Sequence, residues 1–327
     1  MLFQVVKIKI GIVIHQFTTE HYKDNTWVAG YNLLNEPASA DHSKLVNFYL
    51  RVEEAIRKVD PNHIFFLDGN TYAMDFSQFP KDPAKVFPNT VFAIHDYAKY
   101  GFPASNEKYV GSDEQKGKLK HQYERKVQYM KQNNLPVWNG EFGPVYASTF
   151  RGDGDPEATN KVRYHVLKDQ LDVYKHGDPS GDGAAIGWSI WLYKDIGYQG
   201  LTYVNPDSKF YKIFGDWLLK KKKLGLDSWG NDIDPEYKKV YTTVADHFKE
   251  VVPEKYHRAL YPHGLYYDLP TYVTRVLKDM LLSQYFQHEY AELFEGLSFE
   301  ELDELAACFK IENVAKRDEL NAILRSY

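Results

Sequence analysis

Five short apolar runs alternate with longer amphipathic segments along the first two thirds of the chain. The apolar runs end in polar residues or a turn and are Val28–Leu34, His63–Asp68, Thr90–Ile94, Pro136–Glu141 and Ala184–Leu192. The segments with apolar residues every three or four positions are Asp41–Val59, Leu119–Gln132 and Thr159–His176. Such runs are typical of buried strands, and such spacing is typical of helices. The pattern predicts an α/β fold in which helices connect parallel strands.

The arrangement of these strands is predicted to be a barrel, because no GxGxxG motif follows any strand as a dinucleotide-binding open sheet would require. After Asp195 the pattern becomes mainly helical, with Phe210–Leu224 as the first helix of this part. Ser298 and Glu301 form a capping-box pattern before another helix. We therefore predict a barrel domain over residues 1–226 and an α-helical C-terminal region over residues 227–327.

Charge gives no indication of a nucleic-acid partner. The 327 residues include 45 Asp and Glu against 40 Lys and Arg, a formal net charge of -5. No window is apolar over the roughly 18 to 20 residues that a membrane span requires. The apolar stretch Met1–Ile14 is interrupted by Lys7 and Lys9 and lacks a cleavage-site pattern, and the single cysteine, Cys308, cannot form an intrachain disulfide. From these features we expect no signal peptide and a cytoplasmic location.

Two carboxylates stand at the ends of predicted strands, Glu36 after the first run and Glu141 at the end of the fourth. Glu141 follows Glu36 by 105 residues (141 minus 36). A (β/α)₈ barrel uses about 30 residues per strand and helix, so the two residues are three units apart and face each other across the barrel mouth. Two facing carboxylates are what cleavage of a glycosidic bond requires, one to protonate the leaving oxygen and one to attack or stabilise the anomeric carbon.

Four ordered motifs between Thr18 and Tyr203 resemble those of glycoside hydrolase family 5, the cellulase family of (β/α)₈ retaining glycosidases. They are Leu34-Asn35-Glu36-Pro37, His95-x-Tyr97, Gly140-Glu141-Phe142-Gly143 and Trp188-x-x-Trp191. The resemblance implies that Glu36, after the fourth barrel strand, is the acid/base and that Glu141, after the seventh, is the nucleophile.

The same resemblance implies four substrate-binding residues. Asn35 would bind the sugar 2-hydroxyl, Tyr97 would hydrogen-bond the nucleophile, His95 would line the cleft and Trp191 would form the platform under the sugar. An indole face suits the C–H face of a pyranose. We expect Trp188 to pack in the core instead, because it lies three residues earlier and strand alternation points it to the other face. The twelve histidines show no HExxH or other metal spacing, so we expect neither a metal site nor a cofactor.

The sequence departs from the family at its beginning. Only 27 residues precede Val28, whereas three strand and helix units need about 90. We therefore predict an N-terminally incomplete TIM (β/α)₈-type barrel in which strands four to eight are present, followed by the helical appendage. A fragment or incomplete gene model is the favoured explanation. Strands supplied by a partner, or an edge covered by Met1–Ile14, are the alternatives.

The predicted function is a retaining glycoside hydrolase for β-glucosides or β-glucans, acting in polysaccharide catabolism. Its expected partner is a β-linked oligosaccharide or glucoside. A catalytically impaired carbohydrate-binding relative and an interaction protein acting through residues 227–327 are the alternative hypotheses. The sequence leaves open the sugar and its linkage, endo or exo action, and the oligomeric state.

Overall fold

The computed structural model describes residues 13, 15–39, 41–103, 105–179, 183–226, 235–256 and 273–327. The described residues form two compact units. The first unit is drawn from Met1–Asp96, Lys116–Phe142 and Gln170–Ile190, and the second from Tyr97–Gln115, Gly143–Asp169 and Trp191–Tyr327. The hypothesis that Met1–Ile14 covers a sheet edge lies, apart from Val13, outside the described residues.

The first unit is built on a five-stranded parallel sheet whose strands follow one another in chain order. The strands are β1 (Gly30–Asn32), β2 (Ile64–Asp68), β3 (Thr90–His95), β4 (Val137–Glu141) and β5 (Gly187–Trp188). The predicted α/β fold with a parallel sheet is thus confirmed, and every predicted strand is present. Whether the barrel is N-terminally incomplete stays a prediction.

Both outer strands are shorter than the apolar runs that predicted them. β1 covers three residues and β5 only two, because each pairs with a single neighbour, β2 or β4, over that length. Hydrophobicity marks residues that become buried, whereas strand length is set by the ladder of backbone hydrogen bonds. The apolar residues beyond the ladder, such as Leu33 and Ile186, are buried without being in a strand.

The helices of the described residues are α1 (15–22), α2 (Ser43–Arg57), α3 (Asp113–Asn133), α4 (Pro156–Tyr174), α5 (Lys209–Lys223), α6 (Pro235–Val251), α7 (Ser283–Glu292), α8 (Phe299–Ala307) and α9 (Asp318–Leu324). The four helices predicted from apolar spacing are present, as α2, α3, α4 and α5. Shorter helical turns are Asn70–Ala73, Pro83–Val86, Lys99–Gly101, Thr149–Arg151 and Glu254–Tyr256, and a π-helix covers Val276–Leu282. α3 begins six residues before its predicted start because its first turn is polar and gives no apolar periodicity.

The core of the first unit lies between the sheet and its helices. α2 buries Leu45, Tyr49, Val52 and Ile56 along one face. An aromatic cluster fills the space beside β3 and α3, with ring centroids 5.0 to 6.0 Å apart, and consists of Phe76, Phe79, Phe92 and Tyr129. Rings at this spacing exclude water and hold the helices on one face of the sheet.

The second unit contains a three-stranded sheet formed by β6 (Lys194–Asp195), β7 (Thr202–Val204) and β8 (Val314–Lys316). β8 is antiparallel to β7, and its three residues were too few to predict a strand. The rest of the described C-terminal region is helical. The capping box at Ser298 is confirmed, since Ser298 and Glu301 exchange side-chain to backbone hydrogen bonds of 3.2 and 3.0 Å.

The domain boundary after residue 226 stays a prediction.

Within the helices that the structure describes, none combines the length and the apolarity needed to cross a bilayer.

Candidate active site

The polar residues of the candidate site stand at the carboxyl ends of neighbouring strands. β2 ends at Asp68, β3 at His95 and β4 at Glu141, while Glu36 follows β1 by four residues. In a parallel sheet these ends meet at one edge, which is where α/β proteins place their ligands. Glu141 thus stands at the end of its strand and Glu36 in the loop after β1, while their predicted catalytic roles stay predictions.

His95 joins the two predicted catalytic carboxylates. Its Nδ1 lies 2.8 Å from Oε1 of Glu36 and 3.4 Å from Oε2 of Glu141. The imidazole is buried, as is Glu141, whereas the Glu36 side chain is 26 % exposed. His95 was predicted only to line the cleft, but the structure places it in direct contact with Glu36 and close to Glu141.

An irregularity in the pairing of β3 with β4 sets this arrangement. Ile94 lies beside Asn139, but the next residue, His95, lies beside Glu141, so Gly140 is skipped. Such bulges re-aim side chains and are common next to active sites. A Cβ atom on Gly140 would lie 3.0 Å from Nε2 of His95, so the absence of a side chain there leaves room for the imidazole.

Asp68 belongs to the same cluster, although it was not among the predicted site residues. It is fully buried, and its Oδ2 accepts a 2.9 Å hydrogen bond from the backbone N–H of Glu36 and lies 3.8 Å from Nε2 of His95. Its Oδ1 accepts a 2.7 Å hydrogen bond from the Asn32 side chain. The signal was present, since Asp68 ends an apolar run just as Glu141 does.

The pKa values of His95 and Asp68 are both raised, for different reasons. Burial acts to lower the pKa of His95, but the hydrogen bond to Glu36 and the charges of Glu141 and Asp68 outweigh it, so the pKa is raised above 6.5. Burial raises the pKa of Asp68, an effect that the Glu36 N–H and the His95 charge partly offset. A protonated imidazole thus neutralises part of the negative charge that the site concentrates.

Lys126, a buried residue of α3, fixes the backbone of β3 beneath the site. Its Nζ donates to the carbonyl of His95 at 2.9 Å and forms a 2.7 Å ion pair with Asp96. Asp96 also accepts hydrogen bonds from the side chains of Gln122 at 2.7 Å and Tyr174 at 2.8 Å. Three donors on one carboxylate satisfy a buried charge that would otherwise be costly.

A cavity of about 380 Å³ opens at this edge of the sheet. Its walls come from β1 to β4 and from the segments that follow β1 and β5, and consist of Gly30, Asn32, Asn35, Phe66, Asp68, Ala93, His95, Trp138, Gly140, Glu141 and Ser189. Within β1, β2 and β3 the lining residues alternate with residues of the other face, as the pleat of a strand requires, whereas in β4 Gly140 and Glu141 both line the cavity at the irregularity. Asn35, predicted to bind the sugar, is exposed and belongs to this wall.

One donor cluster in the described part of the chain has the spacing of a metal site. The donor atoms of Glu36, His95 and Glu141 all lie within 4.8 Å of one another. Carboxylate oxygen and imidazole nitrogen are common ligands of Zn²⁺. The same three groups are also suited to proton transfer, so their arrangement is compatible with either chemistry.

The two remaining predicted site residues belong to the second unit. Tyr97 is half-buried, and its ring packs edge-on against Phe102 at 5.8 Å between centroids. Trp191 is 38 % exposed and therefore is not a core residue. Trp188 lies in the first unit and packs against Phe142 at 5.5 Å, as its expected packing role requires. The roles predicted for Tyr97 and Trp191 stay predictions.

Solved structures similar to this one include an endoglucanase that is 17% identical, with a TM-score of 0.45. The match covers 59% of this chain and 60% of the endoglucanase chain. Cel5A of Thermotoga maritima in complex with cellobiose is 16% identical, has a TM-score of 0.43 and covers 59% of this chain and 61% of its own.

Sequence comparison gives a closer relation. A family profile described as Cellulase (glycosyl hydrolase family 5) matches residues 10–194. A β-xylosidase of Phanerodontia chrysosporium is 47% identical over 307 residues, which cover 93% of this chain and 62% of that protein. The chain thus spans less than two thirds of the length of this relative. On the profile match and this identity, the chain belongs to glycoside hydrolase family 5, the cellulase family.

Proposed function

We propose that the chain is a retaining glycoside hydrolase for β-glucosides or β-glucan oligosaccharides. The observation that carries this proposal is the approach of Glu36 and Glu141, whose donor oxygens lie within 4.8 Å of each other at a shared histidine. Retaining glycosidases hold their carboxyl groups about 5 to 5.5 Å apart, whereas inverting enzymes leave about 6.5 to 9.5 Å for a water molecule. The short separation supports a nucleophile over a water-activating base.

In the proposed reaction Glu141 attacks the anomeric carbon while Glu36 protonates the departing oxygen, so a glycosyl-enzyme ester forms. Glu36 then removes a proton from water, which displaces Glu141 with a second inversion. His95 contacts Glu36 and lies near Glu141, and its positive charge stabilises the Glu36 carboxylate between the two steps, while Glu141 is held as the ester. Asn35 on the cavity wall is the proposed ligand of the sugar 2-hydroxyl.

The test uses aryl β-glucosides together with aryl β-xylosides, because the relative of this chain is named a β-xylosidase. We expect the wild type to release the phenol and to give the β-anomer first by NMR. Glu141→Ala should abolish turnover, and azide should restore release while yielding an α-glycosyl azide from the nucleophile's side. Glu36→Ala should lower kcat/KM by about 10²- to 10⁴-fold and yield a β-glycosyl azide.

Glu54→Ala, on the exposed face of α2, is the matched control and should keep wild-type turnover. Unaltered turnover in Glu141→Ala would remove it from the nucleophile role. Sugar binding by calorimetry without turnover in the wild type would support the carbohydrate-binding alternative instead.

A further inference from the structure

The loop that carries Glu36 is bound to the segment that follows β2. Asn70 and Ser39 form a reciprocal pair in which the Ser39 N–H donates to Oδ1 of Asn70 and Nδ2 of Asn70 donates to the Ser39 carbonyl, both at 2.9 Å. The backbone N–H of Tyr72 donates to the carbonyl of Pro37 at 3.1 Å. Together with the bond from the Glu36 N–H to Asp68, four hydrogen bonds hold residues 36–39.

Asn70 is itself fixed in place. It is 1 % exposed, and its backbone pairs with Asp75 in both directions, at 2.8 and 2.9 Å. Its side chain therefore presents one donor and one acceptor in a set direction, as a neighbouring strand would. Because the Asn70 amide cannot move, its two hydrogen bonds fix the position of the Ser39 backbone.

Both segments joined by these hydrogen bonds contain residues with left-handed backbone angles. Thr71, Tyr72 and Ala73 have φ values of 62°, 61° and 58°, and Glu36 has a φ of 46°. For residues with a Cβ atom the left-handed conformation is disfavoured, because the Cβ atom comes too close to the following carbonyl oxygen. A free loop would leave this conformation, so the cross-bonds are what keep Glu36 and the turn after β2 in register.

We propose that Asn70 is a positioning residue that holds the Glu36 carboxyl in line for proton donation to the leaving group. The inference rests on the proposed function, since it assigns Glu36 the role of acid. Without the Asn70 side chain the loop relaxes towards ordinary backbone angles and carries the carboxyl away from His95. The specific consequence is a loss of acid catalysis, not of nucleophilic attack.

The test compares leaving groups on the glycoside that the wild type hydrolyses. A phenyl glycoside needs protonation of its leaving oxygen, whereas a 2,4-dinitrophenyl glycoside departs without it. In Asn70→Ala we expect kcat/KM to fall about ten- to hundredfold for the phenyl glycoside and less than about threefold for the dinitrophenyl glycoside. Asn70→Asp keeps the acceptor for the Ser39 N–H and should give a smaller loss.

Asn89→Ala is the matched control. The Asn89 amide also donates to backbone carbonyls, those of Asn62 at 2.8 Å and His63 at 3.3 Å, but it lies before β3, at the opposite end of that strand from His95. It should lower stability without changing the ratio between the two leaving groups. An equal loss for both glycosides in Asn70→Ala would overturn the proposal.

Hydrogen exchange gives a second readout that does not require activity. In Asn70→Ala the Ser39 amide should exchange at least about tenfold faster, while amides of β3 keep the protection that they have in Asn89→Ala. Unchanged protection of residues 36–39 would overturn the proposal even if the wild type hydrolysed no glycoside. An inactive wild type with faster Ser39 exchange in the variant would contradict the proposed function, while the positioning of the Glu36 loop by Asn70 would stand.

Discussion

The charge of His95 should make the stability of the protein depend on pH. Its pKa in the folded protein is raised above 6.5, because the hydrogen bond to Glu36 and the charges of Glu141 and Asp68 outweigh the effect of burial. A raised histidine pKa contributes stability that is fully present below the unfolded value and is lost as pH rises through the folded value. Protonation of the imidazole is therefore stabilising.

His95→Gln removes this titration while keeping a polar side chain. We expect urea unfolding to show a larger stability advantage of wild type over the variant at pH 6.0 than at pH 8.5. The contacts of Lys126 with the His95 carbonyl and with Asp96 do not involve the imidazole, so Lys126 should remain in place in both proteins. An advantage that is constant or grows with pH would contradict a raised pKa.

How far single residues could be predicted depended on where they lie along a strand. Glu36, Glu141 and His95 were recognisable because each follows an apolar run, and the structure brings these three together. Asp68 follows the same rule but was passed over, because its part is to receive the Glu36 N–H, a contact made across 32 residues of chain. Such contacts depend on loop conformation, which hydrophobic periodicity does not encode.

The close pairing of β1 with β2 should make Gly30 sensitive to substitution. A Cβ atom at Gly30 would lie 2.0 Å from the carbonyl oxygen of Ile64, so Gly30→Ala must push the two strands apart. We expect the free energy of unfolding to fall by about 3 kcal/mol. Hydrolysis should fall with it, because Glu36 follows β1.

Gly117→Ala is the control for this prediction. Gly117 lies in α3, and a Cβ atom there would meet no other described part of the chain within 4 Å, so alanine should raise the free energy of unfolding by about 0.5–1 kcal/mol. Chemical denaturation of both variants measures the difference. Equal effects of the two substitutions would argue against the tight β1–β2 approach.

The elements were predicted better than their ends. α2 and α4 have strong apolar or continuous helical patterns and were found within a few residues, whereas β5 was expected over nine residues and has two. The short β8 was not predicted at all, because three residues carry no period. The length of β5 and the existence of β8 depend on pairing with strands that are distant in the chain, and the local sequence pattern does not identify those partners.

For the chain as a whole, we expect residues 227–327 to be needed for the stability of what precedes them. Val204 and Phe214 pack in one cluster with Leu305 and Cys308, and β8 pairs with β7. A chain ending at residue 226 should therefore melt at a lower temperature than the full chain and bind an apolar dye, because this cluster would lose the members that follow residue 226.

Point variants of the full chain test whether the stability depends on the packing of these residues and not only on the length of the chain. Val314→Asp, at a buried position of β8, should destabilise the full chain, whereas Ile311→Asp, at a 48 % exposed position, should not. A chain ending at residue 226 that melts like the full chain would instead support an independent helical appendage.

The alternation of side chains along the sheet also has a consequence for how this protein can change. Cavity-lining positions such as Phe66 and Trp138 are followed by neighbours that point to the other face, such as the buried Leu67 and Asn139. A combinatorial library restricted to cavity-lining positions outside the catalytic cluster and the glycines, such as Phe66, Trp138 and Ser189, would therefore leave the packed face untouched. New substrate preferences selected from such a library should arise with little loss of expression, whereas the same number of changes at the intervening positions should mostly yield insoluble protein.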